Sequence, residues 1–123
     1  MRHRKNTVKL GRTSSQREAL FASLVSNLIL AKRVKTTLPK ARAAKRMADK
    51  LVTVGKQGTL AARRRALSLL KQEQAVAELF AAVAPAMKDR AGGYTRVLKL
   101  GKRISDSSEM CILEWVDFVP KAK

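Results

Sequence analysis

The chain has 123 residues, within the ~100–150 range where one hydrophobic core is the usual outcome, so a single domain is expected. Lys and Arg number 27 against 9 Asp and Glu, a formal charge of +18, and that much like charge repels itself unless a polyanion such as nucleic acid neutralises it. The single cysteine excludes an intrachain disulfide and a metal site built on paired cysteines, and the longest apolar runs, such as Leu28 to Ala31, fall far short of the ~20 residues of a membrane span.

The charge is unevenly placed. Residues 1 to 65 carry 18 basic and 2 acidic side chains and residues 66 to 123 carry 9 and 7, so the first half is expected to bind and the second mainly to fold. Apolar types make up 46% of the chain and aromatic types 4%, so the core must be built mostly from Ala, Leu and Val. A lone thiol suits a reducing cytoplasm.

Met1 to Thr13 holds five Lys or Arg, no acid and, after Met1, only Val8 and Leu10 as large apolar residues. Such a segment cannot pack on itself and reads as an arm that orders on a partner. Arg2, His3, Arg4, Lys5, Lys9 and Arg12 are its candidate contacts. The polar run Ser14-Ser15-Gln16-Arg17-Glu18 stands where a secretion leader needs an apolar region, and the helix that follows is expected to belong to the fold and not to a transit peptide.

Ser15-Gln16-Arg17-Glu18 matches a capping box, so a helix is expected from there. Leu20, Phe21, Leu24, Val25 and Leu28 recur at three and four residues and give it one apolar face to about Ala31. Arg33-Val34-Lys35-Thr36-Thr37 is short, β-branched and alternating, as an edge strand guarded by lysine would be. Thr37 can cap a second helix with Pro39 in its first turn, and Gly55 and Gly58 mark its end. Ala44, Met47, Ala48 and Leu51 share one side of that helix, while Lys40, Arg42, Lys45, Arg46 and Lys50 spread over the rest. Asp49 is its one acid, so the usual Glu-to-Lys pairing of a solvated helix is missing and phosphate contact is the favoured reading.

Thr59 can cap a third helix, with Leu60, Leu67 and Leu70 beside Arg63-Arg64-Arg65. Consecutive residues point about 100° apart, so at most two of these arginines face one surface; Arg63 and Arg64 are kept as candidates. Glu73 to Ala84 reads as a fourth helix with Val76, Leu79, Phe80 and Val83 buried, which Pro85 ends or kinks. Tyr94 to Arg103 and Glu109 to Phe118 form an expected antiparallel hairpin about the turn residues Ser105 to Ser108, its second strand apolar on both faces and therefore central. Between helix and hairpin, Arg90-Ala91-Gly92-Gly93-Tyr94-Thr95-Arg96 has two readings: an RNA-contacting loop with Arg90 and Arg96 on phosphate and Tyr94 stacked on a base, or an ordinary loop with Tyr94 in the core.

Catalysis finds little footing. The single histidine, His3, lies in the arm; Asp106, Glu109, Glu114 and Asp117 read as surface acids; Cys111 reads as a small buried apolar residue. Gly55-Lys56-Gln57-Gly58 lacks the spacing of a phosphate loop. No catalytic residue, metal, cofactor or small-molecule substrate is expected.

Three regions carry a family resemblance: Met1-Arg2-His3-Arg4 with Leu10, Arg12 and Ser14-Ser15; Val34 to Arg42 continuing through Asp49, Leu51-Val52-Thr53 and Gly55-Lys56; and Arg90 to Arg96. Together, over residues 1 to 118, they resemble the bacterial large-subunit ribosomal protein seventeen family. Val34 and Arg42 stand where Ile and Lys are usual there, and Gln16 where His is often found. The resemblance implies an α+β fold of about four helices against a small three-stranded sheet. It further implies a cytoplasmic, ribosome-bound scaffold that binds large-subunit ribosomal RNA and touches neighbouring large-subunit proteins. On that basis the arm is expected to run between RNA helices, while Arg17, Lys35, Lys40, Arg42, Lys45 and Arg46 clamp phosphates from the body. The expected layout is an arm at 1–13, a domain at 14–118 and a tail at 119–123. A DNA-compacting accessory protein and a small basic nuclease are the alternatives; the second needs acids or histidine near the basic surface, a cluster the sequence does not offer.

Overall fold

The structure, a computed structural model, describes residues 13–116; the arm up to Arg12, Phe118 and the tail lie outside the described residues. The first helix, α1 (Ser14–Ala31), has its N-cap two residues before the expected one. Thr13 is its N-cap: the Thr13 hydroxyl accepts from the Gln16 N–H at 3.3 Å and the Gln16 side chain accepts from the Thr13 N–H at 3.1 Å. Both Thr13-x-x-Gln16 and Ser15-x-x-Glu18 satisfy the pattern, and the upstream pair closes the helix. Its buried face is Ala22, Val25, Ser26, Leu28 and Ile29, with Phe21 and Leu24 half-buried beside it.

The strand β1 (Arg33–Thr37) follows as expected, and α2 (Leu38–Gln57) begins at Thr37 with Pro39 in the first turn. The Thr37 side chain makes no capping bond. Gly58, at φ 67°, is the residue that stops α2, since its lack of a Cβ makes the left-handed cap accessible. Gly55 is a different matter: it lies inside the helix, buried, and a Cβ there would stand 3.0 Å from the Ala84 Cβ. It marks a close helix approach and not a stop. In α3 (Leu60–Leu70) the Thr59 hydroxyl accepts from the Ala62 N–H at 3.1 Å. Its core face is Ala62, Ala66 and Leu70, while Leu60 and Leu67 are exposed; the small alanines let α3 approach its neighbours closely.

The fourth helical rod is continuous but irregular. It runs as α4 (Glu73–Glu78), a π-helical turn (Leu79–Val83) and α5 (Ala84–Ala86), so it passes beyond Ala84. The Ala84 N–H donates to the Leu79 carbonyl, five residues back. Pro85 has no N–H to donate and its ring crowds the carbonyl four residues earlier; the wider turn just upstream relieves that crowding, as such turns do near helix irregularities.

The hairpin strands β2 (Thr95–Lys102) and β3 (Glu109–Trp115) complete an antiparallel sheet of order β1-β3-β2, with β3 central as expected. The fold class is therefore α+β. Cys111, Leu113 and Trp115 point into the core against the helices, where the Trp115 indole N–H donates to the Leu28 carbonyl at 3.1 Å. The opposite face carries Glu114, buried between its cross-strand neighbours Arg33 and Arg96. Arg33 Nη2 lies 2.9 Å and Arg96 Nε 2.7 Å from its carboxylate. Burial pushes the Glu114 carboxyl up, but hydrogen bonds and charge from Arg96 and Arg33 outweigh it and hold the group below its ordinary value.

Candidate nucleic-acid interface

The basic residues of α2 divide into two groups. Arg42, Arg46 and Lys50 are exposed and follow one another at successive turns, a row of cations one helical pitch apart. Lys40 is half-buried at the same helix's start. Lys45 is turned inward: its ammonium lies 3.1 Å from the Asp49 carboxylate and 3.2 Å from the Thr95 hydroxyl, which itself donates to Asp49 at 3.0 Å. Asp49, the one acid of α2, thus serves to bind the helix to the start of β2.

The arginine triplet of α3 splits as the 100° spacing requires. Arg63 lies over the Phe80 ring with its guanidinium carbon 4.7 Å from the centroid, a cation–π contact. Arg64 is exposed, and Arg65 turns toward α2, where it lines the α2–α3 groove with Arg46 and Lys50. Arg65 is not among the residues expected from sequence. Its place one turn before Leu69, which lines the same groove, is the available signal.

The loop before β2 holds Tyr94 in the core. The ring is buried, so it cannot stack on a base, and of the two readings of this segment the core placement is the one found. Lys56 lies over the ring, 4.6 Å from its centroid, and donates both to the Tyr94 hydroxyl at 2.9 Å and to the Arg90 carbonyl. The Lys56 hydrogen bond, against the opposing push of burial, holds the Tyr94 phenol below its usual value, with a smaller contribution from Thr53. Gly93, at φ 60°, supplies the turn that brings Tyr94 inward. Arg90 is half-buried; Arg96 is exposed at its far end but bound to Glu114. Lys35 is exposed on the outer face of β1, across from Ile112, and Arg17, half-buried, donates to the Ser14 hydroxyl at 3.1 Å.

Nucleophilic or metal chemistry has no constellation to stand on among the described residues. Cys111 is buried, its thiol pushed up by desolvation against a smaller pull from Arg42, and it lies 3.6 Å from the Thr36 carbonyl. No three His, Cys, Asp or Glu side chains among the described residues are grouped to hold a metal ion. No helix of the described residues is long and apolar enough to cross a membrane.

Comparison with known proteins gives this basic, helix-faced surface its context. The family described as ribosomal protein L17 matches residues 20–116. The chain belongs to the ribosomal protein L17 family. The large ribosomal subunit protein bL17 of Thermodesulfovibrio yellowstonii is 49% identical over 123 residues, covering 100% of this chain and 92% of the relative. That of Methylacidiphilum infernorum is 47% identical over 117 residues, covering 95% and 89%. That of Paramagnetospirillum magneticum is 49% identical over 117 residues, covering 95% and 84%. The resemblance read from the arm, the β1–α2 segment and the Arg90–Arg96 loop is therefore correct, and the family is one of structural proteins and not of enzymes.

Proposed function

We propose that this chain is a structural constituent of the large ribosomal subunit, cytoplasmic and ribosome-bound, that binds and stabilises folded large-subunit ribosomal RNA and abuts neighbouring large-subunit proteins. The observation that carries the RNA contact is the exposed row Arg42, Arg46 and Lys50 on α2, a helix whose only carboxylate, Asp49, is bound by Lys45 and Thr95. A helix face that presents a cation at each turn attracts a phosphate backbone. Lys40, Arg64, Arg17, Lys35, Arg63, Arg90 and Arg96 extend this contact set around the body, and residues 1–13 serve as a basic arm reaching between RNA helices. Recognition follows RNA shape, because side chains on helix faces and arms meet phosphates and 2′-hydroxyls more than base edges.

Sucrose-gradient fractionation of a lysate tests this reading. Co-migration with large subunits and whole ribosomes at fixed stoichiometry, persisting through a high-salt wash, is expected of a component held by folded RNA and not by screened charge alone. Recovery in free or DNA-bound fractions refutes it. Removing Met1 to Arg12 is expected to lower RNA affinity and flatten its salt dependence, by about one unit of slope for each phosphate that the arm neutralises.

A further inference from the structure

Between α2 and α3 the structure forms an open groove of about 650 Å³, within the ~300–1,000 Å³ range of small-molecule sites. Met47 and Val54 of α2 and Leu69 of α3 give it an aliphatic lining. Arg46, Lys50 and Arg65 stand along it, and among the described residues no carboxylate lines it. Gln57 adds an amide able both to donate and to accept hydrogen bonds, and Thr53, whose hydroxyl donates to the Asp49 carbonyl at 3.3 Å, adds an acceptor. Met47, placed by sequence among the core residues of α2, is half-buried and belongs to this groove.

We propose that the groove takes up one unpaired nucleobase of the bound RNA, a step that rests on the RNA-binding reading above and names what that RNA must present. Phosphate alone needs only the cations; it has no use for an aliphatic lining. A base has a flat apolar face that packs on such a lining and polar edges that meet Thr53 and Gln57, while its own and its neighbours' phosphates meet Arg46, Lys50 and Arg65. An acidic peptide would also satisfy the three cations. The continuity of Arg46 and Lys50 with Arg42 along α2 favours an occupant that keeps a phosphate at each step, which is a polynucleotide.

The test is binding of the full chain to large-subunit ribosomal RNA transcribed in vitro, measured over a range of salt concentrations. Ala43 lines the groove, and Ala43→Leu fills it without changing charge. It is expected to weaken binding by about tenfold, the scale of one base-packing interaction, with the salt slope unchanged. Lys50→Ala is expected to weaken binding and reduce the slope by about one. Unchanged affinity of a folded Ala43→Leu protein overturns the base site; weaker binding by Lys50→Ala then preserves the broader RNA reading, and full affinity in both variants sinks both. If Ala43→Leu does not fold, a photo-crosslinker placed at the exposed Gln57 decides in assembled large subunits. An adduct to a single-stranded nucleotide supports the proposal, and an adduct to a ribosomal protein, or none to RNA, overturns it.

Discussion

Replacing Glu114 with Gln removes the charge that joins both edge strands to the centre of the sheet while keeping nearly the same shape. Hydrogen bonds to a charged acceptor contribute roughly 1.5–3 kcal/mol each, and Glu114 accepts one from Arg33 and one from Arg96. Both arginine side chains are more than half exposed, 58% and 53%, so water competes for them and the pair is discounted by about half. Gln also escapes the cost of burying a charge, which leaves a net destabilisation of about 1–2 kcal/mol at neutral pH. That corresponds to roughly 4–8 °C in melting temperature for a protein of this size. The pH dependence is the sharper test. The folded carboxyl sits below its ordinary value, so its contribution is present above the unfolded pKa of about 4.3 and disappears as pH falls through the lower folded value. Thermal melts of parent and variant, followed by Trp115 fluorescence from about pH 7 to about pH 3, should therefore converge on acidification as the parent's carboxyl is protonated. Parallel curves with a constant gap would refute the assignment of this stability to the ionised carboxylate.

Two further outcomes follow from contacts described above. Gly55→Leu forces a side chain against Ala84 and Leu79; overpacking of about 1–3 kcal/mol exceeds the ~1 kcal/mol gained in helix propensity, so urea denaturation should show a net destabilisation. Lys56→Met removes the ammonium that lowers the Tyr94 phenol, so an ultraviolet titration should find the phenol pKa raised, and amide exchange in the 90–94 segment should quicken once the Arg90 carbonyl has no ammonium to anchor it.

Where the chain announces itself through backbone chemistry, its structure is legible in the sequence. β1 can be placed to the residue because β-branched alternation runs straight into Thr37 and Pro39, and β3 can be recognised as central because apolar residues fall on both its faces. Legibility fails where two local signals overlap or where packing decides. Thr13 and Ser15 offer equivalent caps, and only the geometry of the first turn separates them. Gly55 reads as a stop on conformational grounds, whereas its role is set by Ala84, 29 residues later along the chain and invisible to any local pattern. In α3 the inward face is Ala62, Ala66 and Leu70, and which leucine joins the alanines is settled by packing. The basic row of α2 is legible from the shortage of acids, but the inward turn of Lys45, the burial of Tyr94 and the groove position of Arg65 depend on which neighbour each side meets.

The sheet order has a consequence for synthesis on the ribosome. Among the described residues β1 and β2 do not pair with each other; each pairs with β3, the last of the three strands in chain order. Arg33 and Glu114, register partners, are 81 residues apart, so β1 emerges with its hydrogen-bonding edges open and stays so until β3 arrives. The cations of α2 and α3 are all made by then. A nascent chain of this topology therefore offers its basic half to polyanions before its fold can close, and RNA engaged during that interval would meet helices whose β3 packing partners, Cys111, Leu113 and Trp115, have yet to be synthesised.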